Sequence, residues 1–150
     1  MTILMINTAI KIALTRSLLS YYEALERGDL RALATLMTKR SYLMTLKSLG
    51  LKRAVKEKTF KVLIEGIEKS EKALKRVETL LSEELTKEAH AHDIALLAFD
   101  PSGSNRVAVR YTENGQPKKL FFSYLQGSWK IDFTAGRQKA ENLFQAQNIL

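Results

Sequence analysis

The chain has 150 residues, 45% of them apolar and 27% charged, with a formal net charge of +8. That length suits one domain with its own core, and that composition is ordinary for a globular protein rather than a fibrous or disordered one. Because it holds no cysteine, disulfides, thiolate metal sites and cysteine nucleophiles are excluded.

The opening stretch Met1 to Leu19 is apolar, yet Lys11 and Arg16 interrupt it. It lacks the charged start and small-residue cleavage pattern of a signal peptide, and it is too short and too charged to span a bilayer. It reads as a first helix with an extended lead-in, and a cytoplasmic location without membrane association is expected. From Thr8, apolar residues at Ile10, Leu14, Leu18, Tyr21 and Leu25 recur in steps of three and four, which is one helical stripe. Gly28 then supplies a left-handed helix stop, and Asp29 can cap a short second helix carrying Leu30, Leu33, Leu36 and Met37. Thr38 is the expected cap of a third helix with Tyr42, Leu43, Leu46 and Leu49 inward, ended at Gly50 by the same C-cap logic.

A long helical pattern follows from Leu51 through Val55, Val62, Leu63 and Ile67. The run from Lys39 to Lys61 holds eight basic residues against Glu57 alone. It could attract anionic surfaces or nucleic acid weakly. No aromatic ring is placed along it to stack bases, so it reads first as a solvated helix face. The segment Leu74 to Glu88 is ambiguous, since Val77, Leu80, Leu81 and Leu85 suit a helix by spacing alone.

The last third is strand-like. Ile94 to Phe99 is a continuous apolar run, closed by a turn at Asp100-Pro101-Ser102-Gly103-Ser104. Arg106 to Thr112 alternates, Asn114-Gly115 is a strong hairpin signal, Lys118 to Leu125 follows, and Gln126-Gly127 leads to Ser128 to Phe133. This is an antiparallel meander. Two strands are apolar at nearly every position, Ile94 to Phe99 and Leu120 to Leu125. A sheet with one wet face should alternate instead. Both faces are therefore expected to be covered, by a second copy in a homodimer through the outer sheet face, or by the tail 134–150 with Ala140, Leu143, Phe144 and Ile149 docked as a helix.

Two segments together carry a family resemblance: Tyr21-Tyr22-Glu23-Ala24-Leu25-Glu26-Arg27-Gly28-Asp29-Leu30, a helix that stops and restarts, and Gly127-Ser128-Trp129-Lys130-Ile131-Asp132, a final strand entered through a turn. The chain resembles the nuclear transport factor 2-like superfamily, including its SnoaL-like and ketosteroid isomerase-like members, over roughly residues 8–133. The resemblance implies an α+β fold, with N-terminal helices packed on a curved antiparallel sheet to form a cone and a short C-terminal tail or helix beyond. It places a first strand over roughly Lys75 to Glu83, and it implies one domain over 1–150. Fold alone selects no function within such a superfamily.

Enzymes of this shape need a base and an oxyanion donor converging inside the cone. Tyr21, Tyr22, Tyr42, Tyr111, Tyr124 and Trp129 are the candidate pocket residues, as donors or as amphipathic lining. His90 and His92 are the only histidines. On a strand they share a face with Glu88, which makes them weak candidates for a base or for two metal ligands. Asp132 points away from the core if Trp129 and Ile131 face it. The serines have no nucleophile-elbow context, and no glycine-rich phosphate loop or dinucleotide fingerprint is present. The residues therefore point to a non-catalytic binding or interaction domain with a mostly apolar pocket, no metal and no cofactor. A small-molecule isomerase, dehydratase or hydrolase using a histidine with tyrosine donors is the alternative.

Overall fold

The computed structural model describes residues 5–51, 60–87 and 92–133. Among them five helices precede four strands: α1 (Thr8–Arg27), α2 (Leu30–Leu36), α3 (Lys39–Leu51), α4 (Phe60–Glu65), α5 (Glu71–Thr86), β1 (Ile94–Pro101), β2 (Arg106–Glu113), β3 (Gln116–Leu125) and β4 (Ser128–Ile131). The class is α+β, with a four-stranded, curved and unclosed antiparallel sheet of order β1-β2-β3-β4. The chain forms two compact units, a helical unit of residues 20–91 and a sheet unit of residues 1–19 and 92–150. The expected docking of the tail 134–150 and the middle of the 51–67 helical pattern lie outside the described residues.

In the helical unit the chain reverses where the Gly-Asp pair requires it. The amide of Gly28 donates to the carbonyl of Leu25 at 3.2 Å, and that of Asp29 donates to Ala24 at 2.9 Å. These are the two bonds of a Schellman stop, with Gly28 left-handed at φ +65°. The Asp29 carboxylate then accepts from the Ala32 amide at 3.0 Å and caps α2. Thr38 caps α3 in the same way, its hydroxyl accepting from the Ser41 amide at 3.2 Å.

Gly50 does not end α3, which continues to Leu51. Its reason for being glycine is space. A β-carbon there would stand 2.3 Å from Cδ1 of Ile64 and 2.9 Å from Cε1 of Phe60, so α4 lies against the bare backbone of α3.

The strand expected over Lys75 to Glu83 is instead the middle of α5. Ser70 caps this helix, its hydroxyl accepting from the Ala73 amide at 3.2 Å, and Glu71 stands in the first turn, at the positive end of the helix dipole. Ala73, Val77, Leu81 and Leu85 recur every four residues and are all buried. Strand alternation would have put Lys75, Thr79 and Glu83 on the same face as Val77 and Leu81. Burying those two side chains stabilises by about 1.5–3 kcal/mol each, and only the helix does so without burying charge. α3, α4 and α5 contact one another, and α2 contacts α3.

In the sheet unit, tight turns fix the register. Asn114 and Gly115 at φ 52° and 82° join β2 to β3, and Gln126 and Gly127 at φ 52° and 83° join β3 to β4. Both central residues are left-handed, as in a type I′ turn. The pairs Val107↔Phe122, Val109↔Leu120 and Phe122↔Ile131 place these residues on one face, and all are buried. The Lys11 ammonium, on the part of α1 within this unit, lies 6.0 Å from the ring centre of Phe99 on that same face. β1 carries a register shift between Leu96 and Ala98, which is a bulge at Leu97. The continuous apolar run of β1 is not fully covered by this chain: Leu96 is 38% exposed and Leu97 60%.

Alanine at Gly28 would have to adopt a left-handed conformation, with its β-carbon 3.1 Å from Cβ of Leu85. It should cost about 1–2 kcal/mol. Alanine at Gly50 gains about 1 kcal/mol of helix propensity but overpacks α3 against α4 by about 1–3 kcal/mol. Both variants should unfold at lower urea concentration than the wild type in equilibrium denaturation, with unchanged slope.

Candidate functional site

The best-defined polar pair of the helical unit joins α3 to α5. The Tyr42 hydroxyl donates a short hydrogen bond to Oε2 of Glu78. The Tyr42 ring is buried and Glu78 is half-buried. Burial, then the hydrogen bond, then the carboxylate charge all hold the Tyr42 hydroxyl well above the ordinary tyrosine range. Around it, the Thr38 hydroxyl donates to Oγ of Ser41 at 2.7 Å, and the Thr45 hydroxyl donates to the Ser41 carbonyl at 2.9 Å. Tyr21 and Tyr22 pack edge to face, with ring centres 5.0 Å apart. Tyr42 is therefore not a spare oxyanion donor. Its proton is committed to Glu78, and its raised pKa makes giving the proton up harder.

The sheet unit holds three further features. Tyr111 is buried on the face of Val107 and Phe122. On that face Tyr124 and Trp129 stand opposite each other, edge to face at 5.1 Å, and Tyr124 is 47% exposed. Nε2 of His92 lies 3.8 Å from Oε2 of Glu113, both side chains being mostly buried, an ion pair when the imidazole is protonated. On the opposite face Ser123 donates to Oδ2 of Asp132 at 2.9 Å. Asp132 does point away from Ile131, yet it is only 7% exposed.

The six candidate aromatic residues thus divide, with Tyr21, Tyr22 and Tyr42 in the helical unit and Tyr111, Tyr124 and Trp129 in the sheet unit. His90 and Glu88 lie outside the described residues, so the expected His-x-His face does too. Among the described residues, no group of three histidine or acidic side chains is placed to hold a metal ion. In the basic run, Lys47 pairs with Glu68 and holds that carboxyl below its usual range, while 52–59 lie outside the described residues.

Sequence reasoning does not single out Glu78, because the resemblance implies a strand over its segment. The Ser70-Glu71 cap followed by apolar residues every four positions was the signal for the helix. The Ser123–Asp132 pair is also missed by sequence reasoning; its signal is the two-residue turn, which fixes Ser123↔Lys130 and so brings Asp132 diagonally beside Ser123. Comparison with protein-family models, with curated proteins and with solved structures finds no match.

Phenylalanine at Tyr42 removes the donor and leaves the Glu78 carboxylate short of a partner, at a cost of about 1–2 kcal/mol. The pH dependence follows from the raised pKa. The hydroxyl stabilises the fold below its unfolded pKa near 10 and stops doing so as pH rises through the folded value. The stability difference between wild type and Tyr42→Phe, read by urea denaturation, should therefore be constant near neutrality and shrink in alkali.

Proposed function

We propose that this chain is a non-catalytic binding and interaction domain of the nuclear transport factor 2-like kind, and that it pairs with a second copy through its sheet. The observation that carries this reading is a set of large apolar side chains standing in water on the sheet. Leu96 and Leu97 lie on edge strand β1, and Tyr124 and Leu125, the latter 41% exposed, lie at the end of β3. Exposed apolar groups on an edge strand with unpaired backbone are a ready template for another chain. The Tyr124–Trp129 pair is the surface on which a small apolar ligand would rest. The commitment of Tyr42 to Glu78 supports a non-catalytic role.

A second reading, a small-molecule isomerase, dehydratase or hydrolase, is favoured by His92 beside Glu113, since a carboxylate can orient an imidazole for proton transfer. It ranks below the first, which the exposed apolar side chains of the sheet support directly. No helix of the described residues is long and apolar enough to cross a membrane.

Sedimentation equilibrium tests the first reading. The wild type should be a dimer at micromolar concentration, and Leu97→Lys should weaken dimerisation at least about tenfold by burying a charge at the seam. A wild type that stays monomeric throughout, or a Leu97→Lys variant that dimerises equally well, would overturn it.

A further inference from the structure

The two faces of the sheet differ in charge. Register and alternation place Val107, Val109, Tyr111, Leu120, Phe122 and Ile131 on one face. The other face of β2, β3 and β4 takes Arg106, Arg110, Lys119, Phe121, Leu125 and Lys130, with the small side chains of Ala108 and Ser123 buried between them. Arg106, Arg110 and Lys119 are exposed, while Phe121 and Lys130 are half-buried. Two carboxylates share this face. Asp132 is withdrawn beneath it in its bond to Ser123, and Asp100 pairs with Nε of Arg110 at 2.7 Å.

We propose that this basic face binds single-stranded nucleic acid, with phosphates on Arg106, Arg110 and Lys119 and a base on Phe121. The cations stand on both sides of the ring along the strands. Arg106 lies toward one end and Arg110 with Lys119 toward the other, about 13 Å apart at the rise of an extended strand. The half-buried ring keeps part of its surface exposed, and the Lys119 ammonium lies 5.7 Å from its centre. An incoming base takes the place of that ammonium, which then meets a phosphate. The Arg110–Asp100 pair is no obstacle, because both side chains are about half exposed and exposed pairs of this kind are readily exchanged. An aromatic platform on a sheet with cations around it suits unstacked bases and a backbone track, whereas a duplex keeps its bases stacked and offers nothing to the ring. The site uses none of the Lys39–Lys61 residues; of the proposed pairing surface Leu96 and Tyr124 lie on the opposite face, and Leu125 lies on the basic face at the end of β3.

Fluorescence anisotropy of the full chain with a labelled oligo-uridine, titrated at several salt concentrations, tests the proposal. Binding at low salt should weaken with a log–log slope of about −2 to −3, as three or four neutralised phosphates require. The combined variant Arg106→Ser, Arg110→Ser, Lys119→Ser should lose at least about tenfold in affinity at low salt. Phe121→Leu should lose at least about fivefold while keeping the salt slope. Lys39→Ser with Arg40→Ser should bind like the wild type. The substituted cations are surface groups, so the combined variant keeps the test valid even if Phe121→Leu fails to fold. No binding at low salt, full binding by the combined variant, loss only in the Lys39/Arg40 variant, an unaffected Phe121→Leu, or equal competition by duplex DNA would each overturn it.

Discussion

Register is the constraint on which the sheet unit depends. The turns at Asn114–Gly115 and Gln126–Gly127 hold two left-handed residues each, so β3 has no freedom to slide against β2 or β4. Side chains alternate with a period of two, and a slip of one residue would exchange the faces completely. Phe122 would leave the buried side, and Ser123 and Phe121 would enter it. The apolar face, the buried Ser123–Asp132 bond and the basic face are therefore consequences of the same two turns. The buried acid survives because the register gives it a hydroxyl donor on its own face, while its backbone amide donates a hydrogen bond to the Phe121 carbonyl at 2.8 Å.

The helical unit is held differently, by caps and close approaches. Its helices are short, and α2 and α4 have only 7 and 6 residues. Helices of that length are not stable alone. Each is defined by where it stops and what it touches. Asp29, Thr38 and Ser70 satisfy amides that no helix can satisfy internally, and Gly50 lets α4 lie on the backbone of α3. The Tyr42–Glu78 bond ties α3 to α5 in a direction that apolar packing, being non-directional, does not fix.

Local rules made much of this legible from sequence. The Gly28–Asp29 reversal, the Thr38 cap and the Asn-Gly hairpin each rest on residues within a few positions of one another, and each is found where expected. What failed was tertiary. Gly50 looked like a helix stop because nothing local reveals that Ile64 and Phe60 need its missing side chain. The Tyr42–Glu78 bond spans 36 positions and leaves no local trace. The Lys75–Glu83 strand was an error of another kind. The four-residue spacing of Ala73, Val77, Leu81 and Leu85 favours a helix on its own, against the strand that the family resemblance implies there. Of the candidate site residues, the tyrosines were legible as amphipathic groups, but not which of their hydroxyls was already engaged.

The bulge at Leu97 has a bearing on assembly size. β1 has eight residues and β4 has four, so the two edges of the sheet are unequal. A strand joining β1 meets a kinked ladder with extra local twist, which suits one discrete partner better than a flat stack. The far edge is too short to pass the pairing on. In the proposed pairing such a sheet would close its assembly after a single addition, so the apolar edge that would receive a neighbour would not seed a fibre.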